Sequence, residues 1–261
     1  MGQKETALIV VRTYPVPAKK GVEVSCTAAI TQDGRWLRLF PVPYRRLSPE
    51  QKFHKYDWIE VEVERAADPR PESHRILAPS IRILNRIGTE HEWQLRKDVI
   101  FPLKSTSLCA IQQKRNEVLS PTLGIFRPKI TRLLIEPSDS PSWTEAERQI
   151  LSQGDLFQDE SVEALEKIPF DFRYEFTCET DGCRGHSLKC TDWEMGESWR
   201  RWQPVYGEQG WEAAFRQKYE HEMMNRFDTH FYVGTLHQFP NAWIIVGLFY
   251  PPKSTLSLFP D

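Results

Sequence analysis

Through most of the first half of the chain, apolar and polar residues alternate with a period of two. Ala7-Leu-Ile-Val-Val-Arg-Thr-Tyr14 is a β-branched run stopped by Pro15 and Pro17. Val22 to Ile30 and Trp36-Leu-Arg-Leu-Phe40 follow, joined by a turn at Thr31-Gln-Asp-Gly34. Such runs between turn residues predict strands, because successive side chains on a pleated backbone point to opposite faces. Tyr56 to Glu64 alternates most cleanly. Ile59, Val61 and Val63 share one face, and Tyr56, Trp58, Glu60, Glu62 and Glu64 share the other. Ile81 to Arg86 alternates more weakly, and Gly124 to Ile135 reads as a strand broken at Pro128, so an edge or bulged strand.

The second half changes period. Ser142-Trp-Thr-Glu predicts a capped helix inside a Pro- and Ser-rich linker. Phe170 to Cys178 alternates strictly. Trp211, Phe215, Tyr219 and Met223 then recur every four residues, a stripe that predicts a helix packed on the body of the protein. A hairpin closes the pattern, Phe231 to Leu236 and Ala242 to Tyr250; its second arm is apolar on both faces and reads as a central strand. Strands first and helices later predict an α+β fold, with an N-terminal antiparallel barrel-like part of OB or PUA-like size. The expected division is a basic β-rich domain over 1–137 and a linker with a short helix over 138–160. A part with metal loop, helices and hairpin then covers 161–253, ahead of a tail at 254–261.

Chemistry concentrates in Cys178-Glu-Thr-Asp-Gly-Cys183-Arg-Gly-His186-Ser-Leu-Lys-Cys190. Three thiols and an imidazole make a tetrahedral donor set that suits zinc. The expectation is a structural zinc site formed by Cys178, Cys183, His186 and Cys190; the alternatives are a reduced, metal-free loop and a catalytic or iron–sulfur site. Gly182 and Gly185 supply the tight turns on either side of Cys183. In ligand order the segment resembles a zinc knuckle, although its gaps differ, so the knuckle's RNA-binding role does not carry over. Cys26 and Cys109 read as small buried residues.

Net charge is −2, but residues 1–132 hold 23 Lys and Arg against 14 Asp and Glu, while the remainder holds 11 against 22. A basic half can attract phosphate backbones. Trp36, Arg38 and Phe40 fall on one strand face, two aromatics beside an arginine, as on a base-stacking platform. Together with Arg45, Arg46, Arg127 and Lys129 they form the expected nucleic-acid contact set. A metal-dependent nuclease or nucleotide-processing enzyme is the alternative, using Glu175, Asp192, Glu194 and Lys189. In composition these residues resemble a PD-(D/E)xK nuclease, although no Glu-x-Lys follows the acids. A zinc-stapled protein-interaction module is the third reading. Leu256-Ser-Leu-Phe259 in the tail is similar to the pentapeptide by which bacterial DNA-metabolism proteins bind the sliding clamp, with Thr255 where Gln is usual. That resemblance implies clamp docking. No run is long and apolar enough to span a membrane. The polar opening and the odd number of cysteines predict a reducing, cytoplasmic setting. The leading expectation is therefore a cytoplasmic nucleic-acid-binding protein of DNA or RNA processing.

Overall fold

The computed structural model describes residues 2–19, 22–118, 120–155 and 163–253. Leu256–Phe259, the expected clamp-binding segment, lies outside them. The fold is mixed α+β, and it is organised around two sheets.

The first sheet is built from β1 (Gln3–Arg12), β2 (Val16–Ala18), β3 (Val22–Thr31), β4 (Trp36–Val42), β5 (Asp57–Arg65), β6 (Ser73–Ile76) and β7 (Arg82–Arg86). Strands β1, β3, β4, β6 and β5 pair in that order, and β5 pairs back onto β1, so five strands close a barrel. The pairings are antiparallel except β4 with β6, which run parallel. Ala7, Ile9, Ala29, Leu37, Leu39, Ile59, Val61 and Val63 fill the barrel interior. The alternation of β5 is thus used as expected, with its apolar face inward. Glu60, Glu62 and Glu64 point away from the core, and Lys4 pairs with Glu60 at 2.8 Å.

After α1 (Glu90–Ile100) and α2 (Leu108–Val118), the chain enters the second sheet through β8 (Leu123–Phe126) and β9 (Lys129–Pro137). The sheet continues with β10 (Phe170–Thr177), β11 (His186–Cys190), β12 (His230–Thr235) and β13 (Trp243–Phe249), in the order β8-β12-β13-β11-β10-β9. The break expected at Pro128 separates β8 from β9, which lie at opposite edges, and the apolar β13 is central. The expected domain boundary at 137 is displaced: β8 and β9 belong to the second sheet, so the change of sheet falls between Arg86 and Leu123. Basic character rather than pairing had assigned them to the first part. Helix α3 (Glu145–Asp155) is capped two residues later than Ser142. Thr144 Oγ1 accepts from Glu147 N, and the Glu147 carboxylate accepts from Thr144 N at 2.8 Å.

Helix α4 (Trp193–Arg216), extended by a π-helical turn over Gln217–Glu222, lays Trp211, Phe215 and Tyr219 on the second sheet. Met223 follows in the same stripe, so the stripe is core as its spacing predicts. At the other end of α4, Trp193 joins the barrel core, 5.3 Å from the Tyr44 ring and 6.0 Å from Tyr14. Arg12 lies over both Tyr44 and Trp193, with its guanidinium carbon 3.8 and 4.2 Å from their centroids. A third core joins the two sheets. Leu8, Val10, Ala28 and Ile30 on the barrel's outer face meet Leu123, Ile125, Tyr232, Val246 and Phe249.

Gly196 is required at this joint. A Cβ there would come within 2.4 Å of the Tyr14 ring. Gly196→Ala should gain about 1 kcal/mol in helix propensity but lose more, since overpacking costs about 1–3 kcal/mol or more. A lower thermal midpoint is expected. An unchanged or raised midpoint would show that Tyr14 does not pack tightly on α4.

Candidate metal centre

The β10–β11 hairpin explains how the cysteine loop is presented. Phe176 pairs with His186, and Phe172 with Cys190, so the loop between the strands projects from the sheet end with Cys178 and His186 at its base. Gly182 and Gly185 adopt φ of 80° and 90°, the left-handed conformation that side chains resist. They turn Cys183 back toward Cys178, whose N–H lies 3.2 Å from Cys183 Sγ.

The fourth member is Cys109, in the first turn of α2. Ser107 Oγ caps that helix by accepting from Ala110 N at 3.0 Å. The ligand atoms of Cys109, Cys178, Cys183 and His186 all lie within 4.8 Å of one another, a group able to hold a metal ion. His186 Nε2 is 3.3 Å from Cys109 Sγ and 3.5 Å from Cys178 Sγ. Tetrahedral coordination at about 2.3 Å for sulfur and about 2.0–2.1 Å for nitrogen sets the S···N separation at about 3.5 Å, so the cluster has the dimensions of a closed site. Burial holds His186 below its ordinary pKa, which keeps the imidazole a neutral donor. The N–H of Cys178 lowers the pKa of the Cys183 thiol, with further help from the Gly185 N–H. Burial, reinforced by Cys178, pushes Cys109 up to about 12 when no cation is present. Crowded thiols that resist ionising together are relieved by a cation, and such sites bind metal with release of protons.

Cys190 is a correction. It lies four residues beyond His186 on the same strand, a distance of about 13 Å at 3.3 Å per residue. It sits in the core of the second part and pairs with Ile245 on β13, and burial raises its thiol pKa. The reasoning from sequence missed Cys109 because it is far away along the chain. The usable signal was distance: if His186 to Cys190 is extended, its rise carries Cys190 out of reach of an ion held by His186 and leaves an S₂N set in need of another thiol.

The expected nucleic-acid platform is also relocated. Arg38 is 3% exposed, because β4 turns Trp36 and Arg38 toward the second sheet, while Phe40 farther along the strand stays exposed. Trp36 meets Tyr232 edge-on at 6.2 Å, and Arg38 Nη2 donates to Thr122 O at 2.8 Å and lies 3.4 Å from Glu72. Arg45 and Arg46 share Glu23, at 2.8 and 3.9 Å. Arg127 is exposed, paired with Asp228 at 2.8 Å and Glu179 at 3.4 Å, and Lys129 beside it is exposed.

The four candidate catalytic residues do not assemble. Glu175 and Lys189 lie on the outer face of their strands, paired with Arg132 at 2.6 Å and Asp171 at 2.7 Å. Asp192 is buried at the joint. One of its oxygens accepts from Glu194 N at 2.7 Å, capping α4; the other accepts from Leu248 N at 3.0 Å and faces Lys55 Nζ at 3.5 Å. Lys55 also reaches Glu194 at 3.4 Å, and Tyr250 donates to Glu194 at 2.9 Å. Both Asp192 oxygens are thereby engaged in holding backbone and barrel.

Fold and site together define a two-part α+β protein with a Cys₃His cluster. Residues 104–261 match the family described as Domain of unknown function (DUF8757), and the chain belongs to that family. Residues 3–102 match a second one, Domain of unknown function (DUF8758), and the boundary between the matches falls where the sheets change. No curated protein matches the chain.

Metal analysis of protein purified without chelator should find about one ion per chain. Cys109→Ser and Cys183→Ser should lose the ion, while Cys190→Ala should keep it. Retention in Cys109→Ser with loss in Cys190→Ala would restore the ligand set first expected.

Lys55 gives a second test. Burial favours its neutral form, yet Asp192 and Glu194 hold the ammonium well above its ordinary 10.5. Its contribution to stability is therefore complete below pH 10.5 and is lost as pH rises through the higher folded value. Lys55→Met should cost about 3–5 kcal/mol at neutral pH, because it strands buried carboxylates. In denaturant titrations the gap between wild type and variant should narrow above pH 10.5. A gap independent of pH would mean that Lys55 acts through packing alone.

Proposed function

We propose that the protein binds nucleic acid and that a structural zinc ion at Cys109, Cys178, Cys183 and His186 holds part of the binding surface in place. The observation that carries this reading is a basic rim around two adjoining clefts of 230 and 340 Å³, both lined by Arg127 and Lys253. Lys129 completes the cationic side of one cleft, and Lys97 and Lys104 that of the other. Glu179 and Asp228 are the acids of the rim, and Arg127 pairs with both. Among the described residues the four lysines have no carboxylate partner, which leaves a positive strip suited to a phosphate backbone. The ligand loop adjoins this rim, since Glu179 follows Cys178 and contacts Arg127.

Zinc is favoured by its donors: three thiolates and one imidazole match a borderline-soft ion without geometric preference of its own. Structural zinc binding is worth about 10–16 kcal/mol in small modules, comparable with the whole stability of a domain. Such an ion would tie α2 firmly to the β10–β11 hairpin. A cytoplasmic role in DNA or RNA processing is the setting that this reading implies.

The test is fluorescence anisotropy with labelled single- and double-stranded DNA and RNA. Affinity should fall steeply with salt, with a log–log slope of about −0.9 for each duplex phosphate contacted. Lys97→Glu combined with Lys104→Glu and Lys129→Glu should weaken binding at least about tenfold, since each contact adds to the same electrostatic attraction. Absent or salt-independent binding would defeat the proposal and leave a zinc-stapled interaction module.

A further inference from the structure

Beyond the basic rim, a cleft of 270 Å³ remains between the outer face of β3 and β4 and the ends of β12 and β13. It stands at the Thr235 end of β12, whereas the rim adjoins Asp228 at the other end. Two features set it apart from ordinary imperfect packing. Arg38 and Thr235, both lining the cleft and only 3% and 2% exposed, carry a side-chain Nε and Oγ1 that have no hydrogen-bond partner among the described residues. Buried donors and hydroxyls are nearly always satisfied, so a pair left open beside a cavity points to something that fills it.

The charges around the cleft limit what that is. Arg70 lies against Asp68, with Nε at 2.9 Å from Oδ1 and Nη2 at 2.5 Å from Oδ2, and its Nη1 donates to Thr235 O at 2.7 Å. Arg38 has Glu72 at 3.4 Å. Each guanidinium is already balanced by a carboxylate, so a phosphate would gain little, whereas an uncharged ligand would find the Arg38 Nε–H and the Thr235 hydroxyl without partners among the described residues, beside the Cys26 thiol and the His237 ring. The hydroxyl can donate or accept. Phe40, 43% exposed, adds a flat aromatic wall suited to stacking. The apolar remainder comes from Val16, Val24, Leu236, Ile244 and Val246. A balanced polar corner, an aromatic wall and an apolar floor are what a planar heterocycle with adjacent donor and acceptor atoms requires.

Arg38 passes β12 at Gly234, where a Cβ would stand in ordinary contact with it. Arg38 Nη1 would lie only 3.5 Å from a Cβ at Gly234, and Leu123 3.1 Å from it. The barrel's arginine therefore crosses the backbone of β12 closely, and its guanidinium can serve both the contact between the sheets and the cleft.

We infer that this cleft is a binding pocket for an uncharged planar nitrogen heterocycle of the nucleobase class, taken as a free base or nucleoside. It is separate from the rim proposed above and does not depend on nucleic acid binding there.

The experiment titrates the full chain with uridine, cytidine, adenosine and guanosine in turn, and with inorganic phosphate, by calorimetry and thermal shift. At least one nucleoside should saturate at one per chain and raise the midpoint of unfolding, and phosphate should neither bind in the cleft nor compete. Phe40→Ala and Thr235→Val should each weaken that nucleoside at least about tenfold, a loss expected when a stacking wall or a paired hydroxyl is removed. Phe40 is exposed and valine matches threonine in shape, so both variants should fold, and Thr235→Val should be at least as stable as wild type without ligand. Lys129→Glu on the rim should leave nucleoside affinity unchanged. The inference is overturned if no nucleoside binds, if phosphate displaces it, or if binding survives both cleft variants.

Discussion

The two sheets depend on one short segment, Asp192-Trp193, where the chain leaves β11 and enters α4. The Asp192 carboxylate caps the helix, accepts the Leu248 N–H of β13 and faces the Lys55 ammonium from the barrel. Next to it, Trp193 packs into the barrel core beside Tyr44 and Tyr14. Tyr14 N donates to Thr191 O, and Thr191 N to Ile245 O, so backbone pairing crosses the same point. A buried carboxylate is costly unless its lone pairs are filled. Here they are filled by one ammonium and two backbone donors drawn from three different elements, so satisfying the charge fixes how those elements meet. Hydrophobic contact between the sheets supplies area but little direction; the charge supplies direction.

The cysteine loop answers a different shortage. Between Thr177 and His186 the chain has few apolar residues to bury, and its glycines favour the unfolded state by their freedom. The cluster brings Cys109 of α2, a helix from the connection between the sheets, against the loop, and an ion held there would order a segment that hydrophobic packing cannot order. The loop in turn sets Glu179 against Arg127. A change at the cluster would be felt first at that contact and only afterwards in the core of the second part.

Much of the barrel was legible because one of its faces is buried and period two follows directly from that, as in Ile59, Val61 and Val63. The stripe at Trp211, Phe215 and Tyr219 was legible for the same reason at helical spacing. The functional residues were harder to place because local pattern says which face a side chain takes but not what covers it. Trp36, Arg38 and Phe40 do share a face, yet β12 and β13 cover it at Trp36 and Arg38 and leave only Phe40 exposed. A hint was present: Ala7-Leu-Ile-Val-Val is apolar on both faces, and a strand buried on both sides needs a second layer outside the barrel. Likewise three of four metal-cluster residues were readable from a compact motif. The fourth was not, because a tetrahedral site constrains distances in space and leaves separation along the chain free.

The same covering layer governs where ligands can be received. Several arginines of the basic half are paired with its own acids: Arg38 with Glu72, Arg45 and Arg46 with Glu23, Arg70 with Asp68 and Arg86 with Asp57. Their acids lie in the same half, so these pairs cancel locally, and the excess read from composition must be carried by the other cations of that half. Among the described residues Lys97, Lys104, Lys129 and Lys253 have no carboxylate partner, and they lie together beyond the barrel where the connection between the sheets meets the edge of the second one. Lysine is a strongly hydrated point charge that attracts phosphate without demanding fixed geometry, whereas the planar arginine fork is well used in rigid internal pairs. Apart from Lys55, which is buried against Asp192 at the joint, the division of labour follows from those two chemistries: arginine makes the rigid internal pairs, and these four lysines are left without a carboxylate.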